Sequence, residues 1–264
     1  MPRAKRRLGQ HFLTDPHILG RIADGLDPGP EDTVLEIGPG PGGLTAALYP
    51  RVKKLIAIEK DAELVPGLRA RFPNADIVEA DALELDWHAL AGSRSLVTGN
   101  IPYNITSPLI DKALQPPWPE RIVFLVQKEV ADRIAAPPGA GDYGALTVGV
   151  RAVARPERLF TVPAGAFQPR PKVDSAVLRL TPLAEPLVAN DRRAAFRRLV
   201  VGLFGFRRKQ LQRGLRELTG WEPERALEAL RAANLQPEAR PEVVGPEGFV
   251  ALLEALVDGG WPAE

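Results

Sequence analysis

The residues with the most chemical content stand together as Asn100-Ile101-Pro102-Tyr103-Asn104, directly after the run Ser95-Leu96-Val97-Thr98-Gly99. The side-chain oxygen of Asn100 and the carbonyl of Ile101 make two adjacent acceptors, which is what a primary amine with two hydrogens requires. An aromatic amine such as adenine N6 is a poor nucleophile, because its lone pair is delocalised into the ring. Acceptors that fix both hydrogens hold the lone pair toward an electrophile and oppose the positive charge that grows on nitrogen. Pro102 sets the turn, and Tyr103 offers a ring on which a base can stack. The plain alternative is a tight Asn-x-Pro turn between strand and helix, and signals at neighbouring strand tips weigh against it.

The first of these signals is Glu36-Ile37-Gly38-Pro39-Gly40-Pro41-Gly42-Gly43. Glycines directly after a buried strand let the backbone turn sharply and approach a ligand. Pro39 and Pro41 remove N–H donors that a pyrophosphate would use, so the dinucleotide fingerprint fits poorly. No Walker lysine follows. Glu59, about twenty residues on at the next strand tip, can accept from both hydroxyls of a ribose, which nicotinamide cofactors and S-adenosyl-L-methionine share. A competing role for Glu59, an interaction with a helix dipole, suits Asp61 better. Asp81 can accept from an adenine amino group, and it reads equally as a loop cap.

These groups need a scaffold that brings strand ends together. Residues 33–37, 55–59, 76–79, 95–99 and 122–127 read as short buried parallel strands. Between them 44–49, 62–72 and 108–114 have helical character, with Asp61 as N-cap of the second. Such alternation predicts a doubly wound α/β sheet that binds ligands at its carboxyl edge. Residues 145–154 and 173–180 alternate like strands and predict an antiparallel, hairpin-like extension of the sheet. After a proline-bearing linker at 181–186, segments 191–204, 207–218, 222–233 and 246–257 are helical. The expected organisation is an α/β domain at 1–185 and a small all-helical domain at 186–264.

Composition narrows the partners. With no cysteine, disulfides, thiolate metal sites and a cysteine nucleophile are excluded, and the three histidines lack metal-ligand spacing, so no metal is expected. No apolar run is long enough for a bilayer, and no signal core follows the first residues. The expectation is a cytoplasmic protein without a membrane partner. The net charge of +1 conceals segregation. Arg3, Lys5, Arg6 and Arg7 form a basic arm, and nine basic residues with no acid lie between Arg192 and Arg216. Charge so arranged suits phosphate binding, against the commoner reading of a solvated helix face.

Taken together, the Asn100–Asn104 segment, Glu36–Thr45, Glu59 and Asp81-Ala82 resemble the ribosomal RNA adenine dimethyltransferase family, most closely its bacterial small-subunit members. Leu8-Gly9-Gln10-His11-Phe12-Leu13, residues 127–133 and 167–177, and Arg207-Arg208-Lys209 extend the likeness over nearly the whole chain. The family commonly has Asn where His11 stands. The resemblance implies a Rossmann-like class I methyltransferase domain with a helical C-terminal domain that binds RNA or the ribosome. It implies S-adenosyl-L-methionine as cofactor, contacted by His11, Leu13, Gly38, Glu59, Asp81 and Asn100. Asn100 also holds the target amine, Phe167 closes the base pocket opposite Tyr103, and Phe167 reads equally as a core residue. The implied reaction is dimethylation of N6 on two adjacent adenosines near the 3′ end of 16S rRNA, within the 30S subunit or its precursor, by a monomer. Arg3, Lys5, Arg6, Arg7, Arg207, Arg208 and Lys209 are the expected RNA contacts. A large-subunit rRNA adenine methyltransferase of the antibiotic-resistance type shares these motifs, and a rival from another class is a ribosome-assembly factor that acts mainly by binding.

Overall fold

The structure is a computed structural model that describes residues 4–5, 8–92 and 94–262, the side chain of residue 88 excepted. The chain forms two compact units, the described residues up to Ala131 with Pro156–Pro182, and Asp132–Arg155 with Leu183 onward. The expected boundary at 185/186 lies close to 182/183, where the chain passes for the last time from the first unit to the second. The helical unit additionally takes in 132–155.

The first unit is built on seven strands. Those in its parallel part are β2 (Thr33–Ile37), β3 (Lys54–Glu59), β4 (Asp76–Glu79), β5 (Ser95–Asn100) and β6 (Arg121–Gln127). Leu55, Ile56, Ala57 and Ile58 are all buried in succession, as strands covered on both faces require. The order is β4-β3-β2-β5-β6, followed by β9 (Ser175–Pro182) and β7 (Ala154–Val162). β9 runs antiparallel to β6, with Leu125 opposite Val177. The chain winds outward from β2 through β3 to β4, then returns to place β5 on the other side of β2. Connections therefore diverge at the carboxyl ends of β2 and β5 and leave a crevice there. Gly99 keeps those two strands in register at this point, since a Cβ there would collide with the Ile37 carbonyl oxygen.

Helix α1 (Pro16–Leu26) starts at Asp15, whose carboxylate accepts from the N–H groups of His17 and Ile18. It buries Ile22, Ala23 and Leu26 against Val34, Leu96 and Val123. Burial of each such side chain stabilises by roughly 1.5–3 kcal/mol. Helix α2 (Gly43–Leu48) follows the glycine turn, and α3 (Val65–Arg71) packs by β4. Asp61 is not the cap of α3, which begins after Leu64. Helices α4 (Trp87–Ala91) and α5 (Thr106–Ala113) flank β5 in sequence.

In the second unit, residues 145–151 form helix α7 (Ala145–Arg151) rather than the expected strand. The apolar pattern there is nearly continuous and fits either period, and packing against helix α8 (Arg193–Gly205) decides it. The Gly144 N–H donates to Thr147 Oγ1, and that hydroxyl in turn donates to the Arg133 carbonyl. The actual strand is β7, at the sheet edge, where Pro156 and its charged neighbours hide it from a pattern search. α6 (Lys128–Ala135) follows β6, and α9 (Leu211–Thr219), α10 (Pro223–Ala232) and α11 (Pro246–Asp258) complete the helices. In this unit the Phe204 ring packs tilted against Tyr143 and stacks on Phe249, and the buried Tyr143 hydroxyl donates to the Val244 carbonyl. Among the described residues, no helix is long and apolar enough to cross a membrane.

Candidate active site

A cavity opens at the carboxyl ends of β2, β3, β4 and β5. Its floor is the glycine turn after β2. Gly40 has a φ of 58°, and a Cβ there would stand 3.2 Å from the Phe12 ring, so any other residue would be strained and would crowd that ring. Gly38, also at positive φ, lines the cavity.

Glu59 ends β3 and is 5% exposed. Its Oε2 accepts the Gly40 N–H at 2.9 Å and its Oε1 the Asp61 N–H at 2.8 Å. Burial pushes its pKa up, and these N–H donors work against that shift. Each oxygen keeps a further lone pair, so the carboxylate can still accept from two vicinal hydroxyls. Asp81 follows β4. It lines the cavity, and it also accepts the Leu83 N–H at 2.9 Å. An ion pair with Lys60, which the sequence search passed over, holds its pKa down.

The reaction segment leaves β5 at Asn100. The Asn100 Nδ2 donates to the His11 carbonyl at 2.8 Å. A carbonyl can only accept, so this contact fixes the amide's orientation and leaves Oδ1 as the end that accepts. Ile101 is 1% exposed, and its N–H donates to the Leu125 carbonyl. The Pro102 carbonyl accepts from Ile105 N–H and so closes a short turn. The Tyr103 hydroxyl bonds Ser175 Oγ at 2.8 Å, and its ring stacks on His11 with centroids 5.6 Å apart. His11 Nδ1 donates to the Pro169 carbonyl at 2.7 Å.

His11, Gly38, Glu59, Asp81, Asn100, Ile101, Pro102 and Tyr103 thus share one cavity. Leu13 and Phe167 stand elsewhere. They pair across the two short antiparallel strands β1 (Phe12–Leu13) and β8 (Phe167–Gln168), and both are buried in the hydrophobic core with Ile22 and Leu44. Phe167, 5% exposed, packs in that core and is not among the residues that line the cavity.

The expected RNA contacts also divide. Arg3, Arg6 and Arg7 lie outside the described residues. Lys5 is ion-paired with Asp61 and Glu63. Arg207 is held by Glu242 at 2.7 Å and donates to the Gly141 carbonyl, while Lys209 pairs with Glu217. Arg208 is exposed, with no hydrogen bond or ion pair among the described residues, and lines a surface cleft with Arg213 and Arg240.

The donor set fits S-adenosyl-L-methionine. A buried acid with spare lone pairs suits the ribose diol, Asp81 suits an adenine amine, and the turn containing Pro39 and Pro41 suits a ligand without a pyrophosphate. Carboxylates near the cavity also favour a sulfonium cation.

Comparison with known proteins agrees with this geometry. The family model described as ribosomal RNA adenine dimethylase matches residues 1–244. A protein of Geobacter metallireducens named ribosomal RNA small subunit methyltransferase A is 43% identical, covering 97% of this chain and 96% of its own. Its counterpart in Nitratidesulfovibrio vulgaris is 44% identical, over 97% of each chain. A dimethyladenosine transferase from Plasmodium falciparum superposes with a TM-score of 0.84 at 27% identity, covering 95% of this chain and 98% of its own. The 23S rRNA methyltransferase ErmE does so at 0.71 and 32%, covering 93% and 99%. Cavity, strand order and sequence converge on one assignment: this chain belongs to the ribosomal RNA adenine dimethylase family.

Proposed function

We propose that this enzyme transfers methyl groups to N6 of two adjacent adenosines near the 3′ end of 16S rRNA in the small ribosomal subunit. The observation that carries the proposal is the Asn100 amide, held by its nitrogen so that its oxygen accepts at the cavity. Relatives at 40–44% identity named for the small-subunit RNA support the choice of substrate.

Bound S-adenosyl-L-methionine supplies an electrophilic methyl group on a cationic sulfur. Glu59 holds the ribose diol, Asp81 the adenine amine, and Gly38 and His11 form adjoining walls. Asn100 Oδ1 and the Ile101 carbonyl accept the two hydrogens of the target amine, which holds its lone pair in line for attack. Alignment of this kind supplies much of the rate. The same oxygens stabilise the positive charge that develops on N6. No side chain has to remove a proton during transfer, since a methylated adenine ammonium is strongly acidic. His11 covers part of one face of Tyr103, and the opposite face receives the base.

Arg208, with Arg213 and Arg240, contacts phosphates, as do the arginines of the N-terminal arm. Such contacts position the RNA and do not read its sequence. The enzyme acts as a monomer, in the cytoplasm where ribosomal subunits mature.

The test is incubation of the purified protein with unmethylated small subunits and tritiated S-adenosyl-L-methionine, followed by mapping of the labelled nucleotides. Two adjacent dimethyladenosines near the 3′ end of 16S rRNA are expected. Label confined to 23S rRNA, or no label despite tight subunit binding, overturns the proposal.

A further inference from the structure

Lys5 was expected to meet phosphate, yet its ammonium is turned inward. Its Nζ lies 2.6 Å from Asp61 Oδ1 and 2.8 Å from Glu63 Oε1. The other end of the same short segment reaches the same carboxylate, with Gln10 Nε2 3.1 Å from Asp61 Oδ2. The Lys5 N–H and Gln10 Oε1 close the loop between them at 2.7 Å. Lys5 and Gln10 are therefore clasped onto one acid. The Asp61 side chain is 3% exposed, and a carboxylate so buried needs a countercharge. Burial opposes ionisation of Asp61, and the Lys5 and Gln10 hydrogen bonds outweigh it, so its pKa lies below the ordinary value.

What the clasp holds gives it a role. Leu8, Gly9, Gln10, His11 and Phe12 form one wall of the cavity. The His11 carbonyl orients Asn100, and the Asp61 N–H supports Glu59 Oε1. One ammonium thus ties together that wall, the acid beside the ribose position and the residue that orients the amide.

We propose that Lys5 is a positioning residue that latches the wall formed by residues 8–12 over the cofactor cavity through Asp61, and not a phosphate contact. The inference rests on the reading of this cavity as the S-adenosyl-L-methionine site. An open latch lets cofactor exchange, and a closed one retains it while Asn100 is held in place.

The experiment compares Lys5→Met, which keeps the stem and removes the charge, with Lys5→Arg, which keeps the charge. In the cofactor-free protein, amide hydrogen exchange at residues 8–12 should quicken about tenfold in Lys5→Met, because a local opening becomes cheaper. Dissociation of tritiated S-adenosyl-L-methionine should also quicken about tenfold, a value discounted for the partial exposure of Lys5. KM for the methyl donor should rise in parallel, with kcat changed by less than about threefold at saturation. Lys5→Arg should restore most of each loss. The salt dependence of small-subunit binding should stay unaltered.

A flattened salt dependence with normal exchange and normal cofactor dissociation makes Lys5 a phosphate contact and overturns the latch. Normal cofactor binding by the unsubstituted chain, with no change in Lys5→Met, overturns the latch alone. Failure of the unsubstituted chain to bind the cofactor overturns the reading of the cavity on which the latch depends.

Discussion

The two units use charge in opposite ways. Around the cavity of the first, charges are paired and mostly buried: Glu59 accepts backbone N–H groups, Asp61 is clasped by Lys5, and Asp81 is paired with Lys60. In the helical unit the charges lie at the surface. Arg208, Arg213 and Arg240 line an open cleft, in which Glu217 and Glu238 are the acids. Buried and oriented charge recognises one ligand in one pose, because low local dielectric makes each contact strong and each misplacement costly. Exposed cations in a group attract any polyanion and lose that attraction with salt. On the proposed function, the first unit chooses an atom and the second holds a large charged substrate.

The sharpest test of this contrast is Asn100→Ala. If the cavity acts through orientation, transfer should fall by roughly 10²–10³ while cofactor affinity stays near normal. Single-turnover transfer and calorimetric titration with S-adenosyl-L-methionine measure the two halves. Near-normal turnover in the folded variant would remove Asn100 from its role.

Glu59→Gln tests the binding half of the same cavity. Hydrogen bonds to a charged acceptor contribute about 1.5–3 kcal/mol each, so cofactor affinity should fall tenfold or more. Unchanged affinity in calorimetry would move the ribose contact to another group.

Glu36 beside the glycine turn gives a pH test of how buried charge is handled. Burial is the main cause that pushes its pKa up to about 8, against the lowering effect of Thr45. The folded carboxyl thus holds its proton where the unfolded one, near 4.5, has released it. Its contribution to stability is complete below about pH 4.5 and is lost as pH rises toward about 8. Across that window stability should decline by at most ~1.4 kcal/mol per pH unit from this group. Glu36→Gln should flatten the decline, as thermal unfolding between pH 5 and 9 will measure.

The smallest expected effects lie in the helical unit. Single Ala variants of Arg208, Arg213 and Arg240 should each lower the log–log salt slope of subunit binding by somewhat under one, leaving cofactor affinity unchanged. Arg207→Ala should behave differently, lowering the thermal midpoint more than the slope, because Arg207 is committed to Glu242 and the Gly141 carbonyl. A slope change for Arg207 equal to that for Arg208 would erase this distinction.

Much of the site was legible because its signals are local. Four strands of the parallel sheet are short runs that end at or just before Gly38, Glu59, Asp81 and Asn100, and an α/β sheet brings such ends together whatever else the chain does. Asn100-Ile101-Pro102-Tyr103 carries its chemistry within four neighbouring residues. Helix α1 was legible too, in the Asp15-Pro16 start that the strand search overlooked.

Other features depend on partners that sequence proximity does not supply. Residues 145–151 match helix and strand periods alike, and only packing against α8 selects the helix. Phe167 reads as core or as stacking ring until its strand pairs with Leu13, 154 residues earlier, and buries it. Lys5 and Arg207 look like any phosphate-binding cation in a basic run. Asp61 and Glu242 claim them from 56 and 35 residues away. The sequence by itself determined which residue types reach the strand tips. The tertiary structure alone decided which charges are already paired, because an ion pair forms between groups that the fold brings within a few ångströms, and composition cannot measure that distance.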